Sequence, residues 1–238
     1  MKVLMPMAGE GSRFAKEGYT FPKPLINIAG KPMIQIVVEN LDFDCEYIFL
    51  VRKSHIEKYA GIIETLERIT NGKFSYIIVD GCTEGAACTA LLAEEYIDND
   101  EDLLIANSDQ YIQYQVQNFN MLKNLTNCDS IVYTFNAVHP KWSFVKTNSR
   151  GFVTEVAEKK PISNIATCGI YWYRKGSDFV KYAKQMIEKD IRVNNEFYIA
   201  PVYNELINDG KTLIPFYVDK MWGIGTPEDL NIFLGGRK

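Results

Sequence analysis

The chain of 238 residues has only two histidines, His55 and His139, and five widely spaced cysteines with no CxxC pair. That scarcity excludes a His-based metal site, a Ser/His triad, a zinc cluster and a disulfide framework. Cys45, Cys82, Cys88, Cys128 and Cys168 are therefore expected as reduced, partly buried core residues. Excess charge of either sign is small: 26 Lys and Arg against 30 Asp and Glu leave −4. With no basic field to gather polyanions, nucleic acid is excluded as the main partner, and any phosphate chemistry must be local. No apolar run approaches the ~20 residues that a bilayer-spanning helix needs, so no membrane insertion is expected. The start, Met1 to Pro6, carries one cation in a short apolar run ended by Pro6 and Gly9. It reads as a first strand rather than a signal peptide, and a cytoplasmic location is expected. Repeats, low-complexity tracts and linkers are also missing, so residues 1–238 are expected to form one domain.

What the chain does have is an alternation of short β-rich runs with longer helical stretches, the pattern of an α/β fold with a mixed, mostly parallel sheet. Strands are expected at Lys2–Met7, Leu25–Ala29, Glu46–Val51, Phe74–Val79, Leu103–Ala106, Ser130–Asn136, Phe152–Val156, Ala166–Tyr173 and Thr212–Val218. A helix should start at Pro32 and reach about Leu41. Another should be capped by Ser54, with Ile56, Tyr59, Ile62, Ile63, Leu66 and Ile69 at helical spacing. Further helices are expected from Thr83–Gly85 to about Ile97, over Ser177–Lys189 and Tyr198–Asn208, and after the cap Thr226, where Pro227, Glu228 and Asp229 suit a first turn.

The segment richest in chemistry is Met5-Pro6-Met7-Ala8-Gly9-Glu10-Gly11-Ser12-Arg13-Phe14, with Lys23 nine residues after Phe14 in Pro22-Lys23-Pro24-Leu25. Small residues after a strand let backbone N–H groups close on an anion, because a Cβ would block the approach. A dinucleotide fingerprint is excluded, since Phe14 follows where the third glycine would be needed, and no glycine continues as a P-loop. Asp109 follows the strand Leu103–Ala106 and should lie at the carboxyl edge of the sheet, where open α/β sheets bind ligands.

Gly9-x-Gly11-Ser12-Arg13-Phe14 together with Pro22-Lys23-Pro24-Leu25 and Gly30-Lys31-Pro32-Met33 resembles the sugar-phosphate nucleotidyltransferase family. The likeness continues in family order through Glu84-Gly85-Ala86-Ala87, Ser108-Asp109, Glu158-Lys159 with Ser163-Asn164, and Trp222 to Pro227. It implies a Rossmann-like nucleotide-binding domain, with an NTP-binding half at about 1–110 and an acceptor-binding half at about 111–238. It also implies transfer of NMP from an NTP to a small phosphorylated acceptor, with release of pyrophosphate, and family members are often homo-oligomers. By the same resemblance Arg13 holds the triphosphate, Lys23 acts at the α-phosphate, and Asp109 binds Mg2+. Ala8, Gly9, Gly11, Ser12, Glu84 and Gly85 would contact the nucleotide, and Glu158 and Lys159 the acceptor. This fits the physical task, which is charge neutralisation and in-line positioning rather than proton abstraction.

The family's second metal carboxylate has no counterpart at Gly223 in Trp222-Gly223-Ile224-Gly225-Thr226, and Asp219, at the end of a strand, is the expected substitute. Ser12-Arg13-Phe14 is similar to cytidylyltransferases, which implies CTP. The opening Pro-Met-Ala-Gly and Asn107-Ser108-Asp109-Gln110 resemble enzymes of bacterial capsule and surface-polysaccharide loci, one class of which activates phosphoglutamine with CTP. Two other readings are a glycosyltransferase using an NDP-sugar, disfavoured because Asp109-Gln110-Tyr111 is not a D-x-D motif, and a nucleotide-binding regulatory module without activity.

Overall fold

The computed structural model describes residues 1–236. Its strands are β1 (Lys2–Pro6), β2 (Asn27–Ile28), β3 (Lys31–Pro32), β4 (Glu46–Arg52), β5 (Phe74–Val79), β6 (Leu103–Ala106), β7 (Gln110–Gln113), β8 (Ser130–Asn136), β9 (Ser143–Thr147), β10 (Val153–Glu158), β11 (Ile165–Tyr173), β12 (Leu213–Tyr217) and β13 (Lys220–Gly223). Nine of them form one mixed sheet, with β10-β9-β11-β6-β1-β4-β5 in a row and β8 carrying β12 beside β11. The expected α/β fold is the one the chain adopts.

Its N-terminal part is parallel: β1 lies between β4 and β6, with Val3 beside Tyr47 and Leu104. Antiparallel β11 then joins β6 to the strands of the second half. Alternate residues of the central strands feed two cores. Val3, Met5, Phe49, Val51 and Leu104 enter one; Leu4, Ile48, Leu50, Leu103 and Ile105 enter the other. Burial on both faces explains why these strands read as unbroken apolar runs. Each such fully buried side chain contributes about 1.5–3 kcal/mol.

Several expected elements are shorter or broken. The helix sought after Ser54 is two, Lys53–Lys58 and Gly61–Ile69, because Tyr59 leaves helical geometry at φ −139° and its hydroxyl bonds the Thr20 carbonyl. The helix sought through Ile97 divides into Ala86–Leu91 and Glu94–Ile97. The helix sought from Tyr198 begins at Val202, with Pro201 as its cap. The strand sought at Leu25–Ala29 contracts to β2, behind a single tight turn at Lys23–Leu25. Strands β7, β9 and β13 and the helix Val116–Leu125 were not expected. Of the cysteines, Cys128 and Cys168 are buried and Cys45 and Cys88 half-buried, but Cys82 is exposed, beside Arg52 and Glu10. No helix among the described residues is long and apolar enough to cross a membrane.

Candidate active site

Strands β1 and β6 are parallel neighbours, and the chain leaves β1 towards β4 on one side before returning to β6 on the other. A crevice opens at such a reversal, beyond the carboxyl ends of the strands. The glycine loop after β1 and the Asn107–Asp109 segment after β6 both emerge there. Arg52, at the end of β4, braces the loop by donating to the Ala8 carbonyl at 3.3 Å and to Glu10 Oε1 at 3.0 Å. Gly11 takes φ +65°, and a Cβ there would stand 3.2 Å from the Lys23 Cβ. This glycine lets the Lys23 segment pack close to the loop and opens the short helix Ser12–Lys16, which carries Arg13.

The loop and the β6 edge meet in one contact: Lys23 Nζ donates to Asp109 Oδ2 at 2.6 Å. Asp109 is further fixed from the other side, where Ile224 N donates to its carbonyl at 2.8 Å. A Cβ on Gly225 would lie 2.2 Å from Asp109 Oδ2, so the turn after β13 leaves this carboxylate its room only because residue 225 is glycine.

Two adjoining hollows share Asn107 and Asp109. The smaller, about 200 Å3, is bounded by Gly9, Lys23, Pro24 and Ser108. The larger, about 370 Å3, reaches from Arg13 across Gln110, Trp142, Glu158, Lys159, Tyr171, Tyr198 and Asp229. Antiparallel β9, β10 and β11 build much of its wall. A bulge in β11 brings Gly169, at φ +73°, so close that its Cβ would meet Asn107 Nδ2 at 2.3 Å, and Asn107 N donates to the Gly169 carbonyl at 2.9 Å.

Glu158 is half-buried at the end of β10. Loss of water pushes its carboxyl above the ordinary range, while the Ser143 hydroxyl, which donates to it, and nearby Lys159 pull the other way. Lys159 Nζ lies 4.4 Å over the Tyr198 ring and bonds its hydroxyl. Lys141 Nζ donates to Asp229 Oδ1 at 2.7 Å and lies 4.6 Å from the Trp142 ring centre. Gln110 is 2% exposed, and neither its side-chain nitrogen nor its oxygen has a partner within the protein.

Of the residues singled out in the sequence, Arg13, Asp109, Glu158 and Lys159 line the larger hollow, and Gly9, Lys23 and Asp109 the smaller. Ala8, Gly11 and Ser12 lie behind or beside them in the loop. Glu84 is exposed and pairs with Arg192 at 2.6 Å, away from both hollows. Gly85 is required by a backbone crossing: at φ +139° its Cβ would come within 2.4 Å of the Phe197 carbonyl. Around it Phe197 N donates to the Glu84 carbonyl at 2.8 Å, and Ala87 N to the Phe197 carbonyl at 2.9 Å.

Asp219 is not brought to Asp109. The ribbon β7–β13 pairs Gln110 with Gly223 and Gln113 with Lys220, and Asp219 N donates to the Gln113 carbonyl, so Asp219 sits at the far end. At about 3.4 Å per residue that is roughly 13 Å from the Asp109 end. The sequence reading missed Asn107, Gln110, Trp142 and Asp229 as site residues. Trp142, an aromatic residue of the kind found more often in a core, was given no role, and Asp229 was read only as a first-turn helix acid.

The profile of a family described as nucleotidyl transferase matches residues 2–232. The bifunctional protein GlmU of Methanocaldococcus jannaschii is 27% identical over 89% of this chain and 48% of its own length. The chain thus spans about half of that relative. A UTP–glucose-1-phosphate uridylyltransferase, AglF of Haloferax volcanii, is 24% identical over 96% of this chain and 93% of its own. Among solved structures, a nucleoside-diphosphate-sugar pyrophosphorylase from Vibrio cholerae superposes with a TM-score of 0.82 over 98% of this chain and 99% of its own, at 24% identity.

Proposed function

The chain belongs to the nucleotidyl transferase family, and from that premise we propose that it transfers NMP from an NTP, CTP by preference, to a small phosphorylated acceptor with the help of Mg2+. A phosphate oxygen of the acceptor attacks the α-phosphorus, the bond to the β-phosphate oxygen breaks, and pyrophosphate leaves. The observation that carries this reading is the Lys23–Asp109 contact at 2.6 Å, where the two hollows join at the carboxyl edge of the sheet. A cation and a carboxylate at that junction serve a reaction in which two polyanions must meet.

Lys23 would leave Asp109 for the α-phosphate and follow the charge that builds there, and Arg13 would hold the departing phosphates. Glu158 and Lys159, across the larger hollow, would orient the acceptor. Among the described residues no three His, Cys, Asp or Glu side chains gather as metal ligands. Mg2+ is commonly held by one or two carboxylates while substrate phosphates and water fill its remaining positions. Asp109 is suited to hold it, since the glycine at 225 leaves its carboxylate open. When bound, the ion would supply charge neutralisation at the phosphates.

The CTP preference rests on the Ser12-Arg13-Phe14 likeness, whereas acceptors of the phosphoglutamine type and a place in capsule or surface-polysaccharide synthesis rest on the likeness of Pro6-Met7-Ala8-Gly9 and Asn107-Ser108-Asp109-Gln110. The relatives' names, which speak of UTP and of nucleoside-diphosphate sugars, make UTP with sugar 1-phosphates the other pairing to try. The test is Mg2+-dependent pyrophosphate release with CTP, UTP, dTTP, ATP and GTP, each against sugar 1-phosphates, phosphocholine and phosphoglutamine. Release in a CTP pairing that Asp109→Ala abolishes is the expected result. Release with another base alone would overturn the CTP preference, and no release in any pairing would overturn the transferase reading for this panel.

A further inference from the structure

We propose that Asp229 supplies the second carboxylate of the divalent-cation site, from the first turn of the C-terminal helix rather than from the strand before it; this rests on the metal-dependent reading above. Gly223 has no side chain to offer. A Cβ built on it would meet Asp229 Oδ2 at 3.4 Å and Cγ at 3.6 Å, so the Asp229 carboxylate stands beside the space a side chain at 223 would fill. Two residues further on, a Cβ on Gly225 would run into Asp109 Oδ2 at 2.2 Å, so that carboxylate lies closer still to the turn. The two carboxylates therefore flank one short turn, and both line the larger hollow.

The helix Pro227–Gly235 fixes Asp229 in place. Thr226 caps it, accepting from Asp229 N at 3.1 Å. Only Oδ1 of Asp229 is bonded to Lys141, and Oδ2 is the oxygen turned towards Gly223. Each carboxylate thus has its own lysine, Lys23 for Asp109 and Lys141 for Asp229, which balances its charge until phosphates arrive to draw the lysines away.

An independent sign of a polar ligand comes from Gln110. Its ladder partner is Gly223, and its buried amide, which lines the same hollow, lacks any partner for either polar atom. Leaving such a group unsatisfied is costly, and a bound cation with its water shell would give the amide oxygen a partner. Asp219, at the other end of the ribbon, has none of these relations.

The test titrates Mn2+ alone against the full chain and reads binding from water-proton relaxation, without turnover. Asp229→Asn, which keeps the backbone bond to Thr226, is expected to weaken Mn2+ at least tenfold, as is Asp109→Asn. Asp219→Asn should weaken it by less than twofold, and Lys141→Met, which frees the Asp229 carboxylate of a competing cation, should not weaken it, separating loss of the carboxylate from loss of the ion pair. Gly223→Asp in an Asp229→Ala background should restore binding by placing a carboxylate from the strand. Wild-type titration by Asp229→Asn beside a weakened Asp109→Asn would overturn this inference alone. Unchanged binding in both Asp109→Asn and Asp229→Asn would overturn the metal-dependent reading on which it rests.

Discussion

The two walls of the site are built on different principles. On the wall from the parallel half, the groups are a glycine loop, Arg13, Lys23 and Asn107, which offer backbone and positive charge to any phosphate. On the wall from the antiparallel half they are Trp142, Glu158, Lys159, Tyr171 and Tyr198, which mix both signs of charge with aromatic faces. Under the proposed reaction the first would serve what all triphosphates share and the second one particular acceptor, so that variants of the two walls should divide accordingly.

The largest effect is expected on the first wall. Lys23→Ala should lower kcat by about 10²–10³-fold while NTP affinity, measured by titration, changes far less. Equal losses in both would make Lys23 a ground-state binder and weaken the contrast. Gly85→Ala tests the join between the halves. With a Cβ 2.4 Å from the Phe197 carbonyl and a φ that L residues seldom adopt, it should cost about 3 kcal/mol, read as a Tm roughly 5–10 °C lower. Glu158→Gln sharpens the second wall: acceptor KM should rise about tenfold with NTP KM unmoved, a change of about 1.4 kcal/mol.

The smallest effects are in the pH dependence of stability, and the two halves should respond with opposite sign. Burial raises the Glu158 carboxyl, so its ionisation costs stability as pH climbs above the ordinary value of 4.5. Glu158→Gln should therefore gain Tm relative to wild type as pH rises from 4 towards 8 (a Tm difference independent of pH would refute this). In the parallel half, burial lowers the pKa of His55, which is 7% exposed with Nδ1 unpartnered. The neutral ring is compatible with the fold above its ordinary value of 6.5, and stability is lost as pH falls below that. His55→Gln should flatten the loss of Tm between pH 7 and pH 5.

The difference between the walls also governs how much of each was legible in the sequence. Gly9, Gly11, Arg13 and Lys23 lie in one short stretch, and Asp109 follows a strand whose apolar run marks it as central; short motifs of this kind carry the resemblance from which their roles were expected. Trp142, Tyr198 and Asp229 come from three separate segments that only the sheet and the C-terminal helix bring together. Asp219 illustrates the cost: without the register of β7 against β13, nothing in the sequence says which end of that ribbon faces Asp109. Strand β9 and the helix Val116–Leu125 escaped notice because their polar residues blur the period that the core strands display. The break at Tyr59 depends on a contact with Thr20 that no local pattern encodes.

The crossing of Gly85 with Phe197 bears on how the protein is made. Residues 84–87 find their backbone partners only in a segment far along the chain, so a nascent chain emerging N-terminus first holds this loop open until Phe197 has left the ribosome. Closing so long a loop adds only modest entropy, but it is by nature a late event. The parallel strands can gather early, whereas the wall nearest the helix Ala86–Leu91 can be sealed only after them. An incomplete chain would carry the glycine loop after β1 without the far wall of the hollow it faces.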